Sequence, residues 1–308
     1  MSGTHLGIDA GARWVKAVET GRRGQVLRTA MFPRSGDPLG PEGVSRIAAT
    51  LRRKGFTSRS ATLVCPRDSV HRRIVSLPQR RDNERDSSIV AGSFESEGVG
   101  GGASEPVWWE LGSRAGSEHR EVLAYAVDAE RAMSWYRSFE REGLDLVSID
   151  LHPSAAGRLA GPELTVVADV AYSHLGLTLA LERRPVYERH DPGLGLGHLL
   201  TLEGRRLGQP VEDAETLALR HATLDRGEIA GFQGWAQRVS EGVLALTQYA
   251  QRRYPGSDDP RVLLVGGGAT PGVAEALGRL TGLRCGCVEG ACDAMTCVAW
   301  SASGRVAA

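Results

Sequence analysis

Short apolar stretches separated by tight turns dominate the hydrophobic pattern of this chain, and the first pair predicts a hairpin. Residues 6–10 and 14–19 alternate as two antiparallel strands do, and Gly11 gives the turn its backbone freedom. Asp9 falls near the end of the first strand. Its carboxylate can hold a hydrated magnesium ion while the bare backbone at Gly11 admits phosphate oxygens, although a turn without a ligand has the same pattern.

The same arrangement recurs in the second half of the chain. Residues 164–181 predict an apolar strand with Asp169 near its end, a turn and a second apolar strand. This internal similarity predicts two related halves. Asp9 and Asp169 are then either magnesium-linked acids or structural caps at the ends of their strands.

A third pattern, late in the chain, suits a nucleotide. Residues 261–265 predict a strand, the glycines at 266–268 a turn, and Pro271 the first turn of a helix. Glycines in this position let backbone N–H groups face an anion or a ribose. The spacing differs from the dinucleotide G-x-G-x-x-G pattern and from a Walker loop, so neither of those folds is predicted.

The other segments predict α/β units. A strand at 26–32, a loop at 33–43, a helix from 44 to Gly55 and a strand at 61–65 complete the first unit. A long helix from Glu228 to Arg253 has an apolar stripe at three- and four-residue spacing, which is typical of a core helix.

Residues 79–149 change character and predict a second, inserted α/β unit. It starts with a polar helix and a glycine-rich loop at 100–102, and it contains a helix capped by Asp128 between strands at 121–127 and 146–149. The adjacent Trp108 and Trp109 face opposite ways if their segment is a strand. An exposed tryptophan there is a candidate for partner contact.

Composition narrows the classes of partner. The chain has 308 residues, 41% of them hydrophobic, which is enough for two cores. Acidic and basic residues number 37 each, so the excess of positive charge that nucleic acids and anionic membranes require is absent. No apolar run reaches the roughly 18 residues of a membrane span, and five cysteines, an odd number, favour a reduced cytosolic protein.

Four cysteines near the end of the chain are candidate ligands of a metal ion. Their spacing matches no standard zinc pattern, so burial as small apolar residues is favoured and a metal site is the alternative. The residues are Cys285, Cys287, Cys292 and Cys297.

Five motifs occur in order along nearly the whole chain. They are residues 7–11, residues 15–19, Leu77-Pro78, Ala214-Glu215 and residues 265–269. Their order resembles that of the superfamily of actin, heat-shock chaperones and sugar kinases. Within it the chain is similar to the PilM family of type IV pilus assembly proteins, relatives of FtsA.

The resemblance implies an α/β, actin-like (FtsA/PilM-type) two-lobed fold. Each lobe is expected to be a ribonuclease-H-like mixed sheet with helices, and a small α/β subdomain is inserted. The implied subdomains are 1A at 1–78, completed by 150–163; the inserted 1C at 79–149; 2A at 164–195 and 258–308; and 2B at 196–257.

The implied function is that of a cytoplasmic scaffold in a type IV pilus, or related type II secretion, assembly platform. Such a scaffold holds the cytoplasmic N-terminal tail of a PilN-like protein at the inner face of the cytoplasmic membrane and reaches the membrane only through that partner. The tail is expected to bind in a groove at the inserted unit. Self-association stays open.

ATP and Mg²⁺ are the cofactors that the resemblance implies, and it assigns no catalytic residue. Mg²⁺ would be held through water by Asp9 and Asp169. The implied nucleotide-binding residues are Asp9, Gly11, Ala12, Arg13, Lys16, Asp169, Ser173, Glu215, Gly266, Gly267 and Gly268.

Departures from the family pattern weaken this nucleotide site. Ala12 and Arg13 stand where the family has small hydroxyl residues, Ala171 replaces a glycine of the second hairpin, and Ala218 replaces a lysine. Arg13 offers a guanidinium to phosphate in exchange. Each lost hydrogen bond to a charged group costs about 1.5 to 3 kcal/mol, so we expect ATP affinity to fall by several powers of ten and hydrolysis to be inefficient.

A sugar or small-metabolite kinase of the same superfamily is the alternative function. It would need a general base for the substrate hydroxyl and polar side chains for the sugar. The sequence shows no convincing set of such residues.

Overall fold

Two five-stranded mixed sheets with the same strand order form the two halves of the chain. The computed structural model describes residues 3–95, 106–111, 118–288, 293 and 295–303, without the side chains of residues 219–221. The chain divides into one unit of Met1–Ala155 with Ala302–Ala308 and a second unit of Ala156–Ser301. The glycine-rich loop predicted at 100–102, and Cys292, lie outside the described residues.

Strands are numbered in chain order. Those of the described residues are β1 (His5–Ala10), β2 (Trp14–Thr20), β3 (Val26–Pro33), β4 (Ser60–Cys65), β5 (Val70–Pro78), β6 (Val107–Glu110), β7 (His119–Val127), β8 (Asp145–Leu151), β9 (Thr165–Val170), β10 (Leu175–Leu181), β11 (Arg184–Asp191), β12 (Arg261–Val265) and β13 (Cys285–Cys287).

Helices are numbered in the same way, and short 3₁₀ turns at Arg67–Ser69 and Pro192–Leu194 join two pairs of elements. The described helices are α1 (Pro41–Arg53), α2 (Asn83–Glu95), α3 (Ala129–Arg141), α4 (His152–Leu159), α5 (Leu196–Leu207), α6 (Val211–His221), α7 (Phe232–Arg253), α8 (Pro271–Thr281) and α9 (Cys297–Ala302). Within the described residues, no helix is both long and apolar enough to cross a membrane.

The first unit contains a sheet of order β3-β2-β1-β4-β8. β2 is antiparallel to β1 and β3, whereas β4 is parallel to β1 and β8. Leu6 and Ile8 of β1 are fully buried, as expected for a central strand. Helices α1 and α3 pack together on this unit and bury apolar stripes at helical spacing.

The second unit repeats this topology with a sheet of order β11-β10-β9-β12-β13. β10 is antiparallel to β9 and β11, and β12 is parallel to β9 and β13. Helix α7 packs on the sheet and on α8, with Trp235 almost completely buried. The internal similarity of the two hairpins in the sequence therefore reflects two sheets built in the same way.

A small three-stranded antiparallel sheet of order β5-β7-β6 lies in the first unit. Helix α2 covers one of its faces through Val90 and Phe94, which belong to a buried cluster with residues of β5 and β7. The ion pair between the almost buried Arg120 and Asp86 joins the same sheet to the same helix. This is the inserted α/β unit that the sequence predicts.

Three elements differ from the prediction. Helix α1 begins at Pro41, inside the predicted loop, because proline is favoured in the first turn. Helix α7 begins at Phe232 rather than Glu228, since Gly231 with φ 78° precedes its first turn. Strand β5, which the sequence pattern does not predict, pairs along its whole length with β7, so this sheet includes Val70–Pro78.

Candidate functional site

Asp9 and Lys16 face each other across the first hairpin. The register of β1 and β2 places Asp9 directly opposite Lys16, and cross-strand partners share a face of the sheet. Lys16 Nζ donates to Asp9 Oδ2 at 2.9 Å, and both side chains are largely buried. The hairpin thus holds a paired acid and ammonium next to its turn.

Gly11 forms the turn beside this pair. A Cβ at Gly11 would lie 3.1 Å from the Trp14 carbonyl oxygen, which is a tight contact, and 3.7 Å from Lys16 Nζ, which is an ordinary one. Ala12 is exposed and Arg13 half-buried. An ammonium next to bare backbone is a suitable environment for a phosphate oxygen.

Asp169 of β9 occupies the position in the second hairpin that Asp9 has in the first. Asp169 is buried, and the register places Gly176 opposite it, so the neighbouring strand supplies no lysine. His174 of the turn approaches instead, with Nε2 3.5 Å from Asp169 Oδ2. The His174 ring packs on the His190 ring at 4.5 Å, and its Nδ1 lies 3.1 Å from Ser173 Oγ.

The turn of the second hairpin is fixed by its own backbone and by helix α5. The Ala171 N–H donates to the His174 carbonyl, and the carbonyls of Ala171 and Tyr172 accept from Leu196 and Gly197 at 2.9 and 2.8 Å. Ala171 carries a Cβ where the first hairpin has bare glycine. The two hairpins therefore share a fold but differ in chemistry.

The glycine turn after β12 lies against the end of β9. Gly266 has φ 90°, and a Cβ there would lie 2.5 Å from Asp169 Oδ1. A Cβ at Gly268 would collide with the Val170 side chain, and the Gly268 N–H donates to the Val170 carbonyl at 2.9 Å. At Gly267 a Cβ would approach only Met295 Cε, at 3.5 Å. Asp169 and residues 266–268 are thus brought together.

The N-terminus of α8 is already occupied by a side chain of the protein. Asp225 Oδ1 accepts from the Gly272 N–H at 2.6 Å, and Thr270 Oγ1 accepts from the Val273 N–H. A carboxylate at a helix N-terminus satisfies unpaired N–H groups and the helix dipole. The sequence predicts that this helix start faces an anion or a ribose, and no recognisable spacing marks Asp225 as the group that lies there instead.

Glu215 lies in helix α6, which packs against α5. It is buried together with Ala214 and Ala218. Because Ala218 stands in place of the lysine that the family resemblance implies, this part of the helix offers an acid without that cation. Glu203 of α5 is also buried, and hydrogen bonds from Arg206 and the Ala230 N–H lower its pKa despite its burial.

The surroundings of Asp9 and Asp169 can be compared with what Mg²⁺ requires of its ligands. Mg²⁺ keeps most of its water and reaches proteins through one or two carboxylates and substrate phosphates. At Asp9, Lys16 donates to Oδ2, and within the described residues Oδ1 accepts no hydrogen bond. Within the described residues, no group of three or more His, Cys, Asp or Glu is arranged to hold a metal ion by itself.

Comparison with solved structures shows which known folds this chain resembles. No family model and no curated protein sequence matches the chain. Among solved structures, a PilM-PilN type IV pilus biogenesis complex has a TM-score of 0.77 at 17% identity over 98% of each chain. The ethanolamine utilization protein EutJ from Carboxydothermus hydrogenoformans has a TM-score of 0.64 at 16% identity, covering 97% of this chain and 89% of its own.

A more distant neighbour is a ROK family glucokinase from Streptomyces griseus in complex with glucose and AMPPNP. Its TM-score is 0.54 at 11% identity over 99% of each chain. Identities this low establish the fold alone. The fold is the actin-like one, with the mixed sheets and helices predicted from the sequence motifs.

Proposed function

We propose that this chain is a PilM-type scaffold that holds the cytoplasmic N-terminal tail of a PilN-like, single-span membrane protein. The observation that carries the proposal is the similarity to the PilM-PilN complex over 98% of both chains, with a TM-score of 0.77. Through that tail the chain would sit at the inner face of the cytoplasmic membrane, in a pilus or related type II secretion platform.

The inserted sheet offers a surface for such a tail. Ile74 and Trp109 both pair with Leu123, and Val107 pairs with Tyr125, so these side chains share the face opposite α2. Trp109 packs edge-to-face on the Tyr125 ring at 5.6 Å. Trp108 packs into the α2 cluster on the other face, which confirms the predicted opposite orientation of the two tryptophans.

Two apolar side chains flank Trp109 on this face and are open to solvent. Ile74 is 55% exposed and Val107 47% exposed. An extended peptide can bury such side chains together with a tryptophan, which is an enriched residue in binding hot spots. We place the peptide groove at this surface, defined by Ile74, Val107 and Trp109.

Peptide binding tests this placement. We would titrate the full chain with a synthetic peptide of the cytoplasmic N-terminal tail of a PilN-like single-span membrane protein. Ile74→Asp and Val107→Asp should each weaken binding about tenfold, because each introduces a charge where apolar area is buried. Leu280→Asp, at a residue 40% exposed on α8, is the matched control and should bind as the unchanged chain does.

For the nucleotide, we propose weak ATP binding through the first hairpin, with Lys16 and the backbone at Gly11 contacting phosphate and Asp9 holding Mg²⁺ through water. Arg13 and Ala12 would lie on the rim of this turn. The geometry of Lys16 beside bare backbone supports this part of the proposal.

The second-unit residues would contribute less to nucleotide binding. Asp169 already contacts His174, Ala171 carries a Cβ at the turn, and Asp225 occupies the start of α8. We still propose that the nucleotide contacts Ser173, Glu215 and residues 266–268. With these losses we expect little hydrolysis and a scaffold rather than an enzyme.

The alternative, a sugar or small-metabolite kinase, has weaker support because the glucokinase neighbour has the lower TM-score of 0.54. Consumption of ATP in the presence of a panel of sugars separates the two functions. We expect no sugar-dependent turnover. A sugar that accelerates ATP consumption by orders of magnitude, together with no binding of the tail peptide, would favour the kinase.

A further inference from the structure

A small depression with four charged side chains lies in the second unit, between strand β11 and helix α7. Its volume is about 260 Å³, and none of the proposed nucleotide contacts lines it. The lining residues are Arg189, Asp191, Leu194, Arg238, Glu241 and Gly242.

Two regular elements build the walls of this depression. Arg189 and Asp191 alternate along β11 and share one face of the strand, while Arg238 and Glu241 share one face of α7. Tyr187, two residues before Arg189 on β11, packs its ring on Tyr249 of α7 at 4.5 Å and so joins the two elements. The walls are therefore held by packing that does not involve the charged groups.

Hydrogen bonds also hold the turn after β11 in place. The buried Trp235 donates from Nε1 to the Leu194 carbonyl at 2.9 Å, which ties the turn after β11 to α7. Asp191 Oδ1 accepts from the Gly193 N–H within that turn at 2.9 Å. Both walls are thus positioned before any ligand arrives, which lowers the entropic cost of binding.

Gly242 leaves the space open. A Cβ at Gly242 would lie 3.2 Å from Leu177 Cδ1, and Leu177 is the cross-strand partner of Arg189. The missing side chain lets α7 approach the sheet closely, and no side chain from this helix position fills the volume beside Arg189.

The four charges do not neutralise one another. In the part of the chain that the structure describes, neither Arg189 nor Arg238 makes a hydrogen bond or an ion pair, and each carboxylate accepts a hydrogen bond at one oxygen. Asp191 binds the Gly193 N–H, and Glu241 Oε1 accepts from Gln237 Nε2 at 3.3 Å. Two guanidiniums and two carboxylates, each able to make further hydrogen bonds, line one small volume.

We propose that this depression binds a small zwitterion of the α-amino acid type. The ligand carboxylate would pair with the guanidiniums of Arg189 and Arg238, whose planar N–H forks match carboxylate oxygens. The ligand ammonium would face the remaining oxygens of Asp191 and Glu241. A ligand with only a negative charge would be repelled by the two carboxylates, so a ligand with both charges is favoured. The volume is below the usual range of about 300 to 1,000 Å³ for drug-sized ligands, so the ligand should be small.

Calorimetric titration of the full chain tests this site, with L-alanine as the probe and sodium acetate and methylammonium chloride as single-charge probes. We expect L-alanine to bind at least about tenfold more tightly than either single-charge probe, because only the zwitterion satisfies both pairs. The double variant Arg189→Gln/Arg238→Gln should lose at least about tenfold in L-alanine affinity.

The matched control is Arg137→Gln/Arg205→Gln, which removes two exposed arginines from α3 and α5 and should leave binding unchanged. Thermal unfolding of both double variants checks that the fold is retained. Equal affinity for acetate and L-alanine, binding that survives Arg189→Gln/Arg238→Gln, or no binding of L-alanine at about 10 mM would each overturn the proposal. None of these outcomes bears on the binding of the membrane protein's tail.

Discussion

Glu19 shows how a single buried carboxylate can hold a sheet to the loop behind it. Its side chain is completely buried at the end of β2 and accepts from the N–H groups of Thr57 and Ser58, the Thr57 hydroxyl and Arg28. Burial alone raises the pKa of Glu19, but these hydrogen bonds outweigh it and the pKa lies below its ordinary value of 4.5.

Glu19→Gln should destabilise the chain by about 2 to 3 kcal/mol, because a neutral amide satisfies fewer of these donors and leaves others unpaired. The pH dependence follows from the lowered pKa. The carboxylate contributes its full stability above the unfolded pKa, and the contribution is lost as the pH falls through the lower folded pKa. Urea unfolding between about pH 7 and pH 3 should therefore show a shallower acid-side loss for Glu19→Gln than for the unchanged chain.

Glu140→Gln, at an exposed residue of α3, is the control for this measurement and should follow the unchanged chain at every pH. An identical acid-side slope for Glu19→Gln and the unchanged chain would mean that folding does not lower the pKa of Glu19, and would contradict this account.

At the residue scale, the sequence revealed chemistry only where strand register fixes a neighbour. Lys16 follows Asp9 at a distance that a tight hairpin converts into a direct cross-strand pair, so their proximity could be foreseen. The positions of His174 and Asp225 could not be foreseen. A turn conformation places His174 beside Asp169, and a contact between segments 47 residues apart places Asp225 at the start of α8. These two residues change the expected nucleotide chemistry most.

Among the elements, the glycine turn after β12 can be tested one position at a time. Gly266→Ala should cost about 1 to 3 kcal/mol, since its φ of 90° disfavours a side chain and the new Cβ would meet Asp169 Oδ1. Gly267→Ala is the matched control and should be close to neutral, because only the flexible end of Met295 is near. Thermal unfolding of the two variants checks this, and equal losses would contradict the geometry of the turn.

The second hairpin yields a prediction of improved binding. Ala171→Gly should strengthen ATP binding about tenfold or more, because it restores the bare backbone that a phosphate needs for close approach. The comparison is calorimetric titration of the variant and the unchanged chain with ATP and Mg²⁺. Lys16→Met should weaken binding in the same assay, and Ala171→Gly without any gain would show that this turn does not face phosphate.

The predictability of whole elements depended on their hydrophobic pattern. The buried hairpins and β12 were predicted because they are nearly continuous apolar runs. Strand β5 was missed because arginine and histidine occupy its exposed positions and only its pairing with β7 shows it to be a strand. The start of α7 was placed too early because only the left-handed backbone at Gly231 separates the helix from the preceding turn.

At the scale of the whole molecule, the internal repeat carried the fold prediction. Two Asp-ended hairpins at matching positions predicted two sheets, and the sheets share one strand order. The actin-like fold follows from that order together with the similarity to solved structures. The surface that we propose for the tail could not be predicted residue by residue, because it depends on which face of the inserted sheet α2 covers.

Membrane recruitment tests the central proposal most directly. We would co-express the chain with a full-length PilN-like single-span membrane protein, with and without that protein's cytoplasmic tail, and measure the share of the chain that sediments with membranes. A scaffold of the PilM type should sediment with membranes only when the tail is present, and Ile74→Asp should reduce that share while Leu280→Asp should not. Sedimentation that is absent with the intact tail, or unchanged by its removal, would contradict the account.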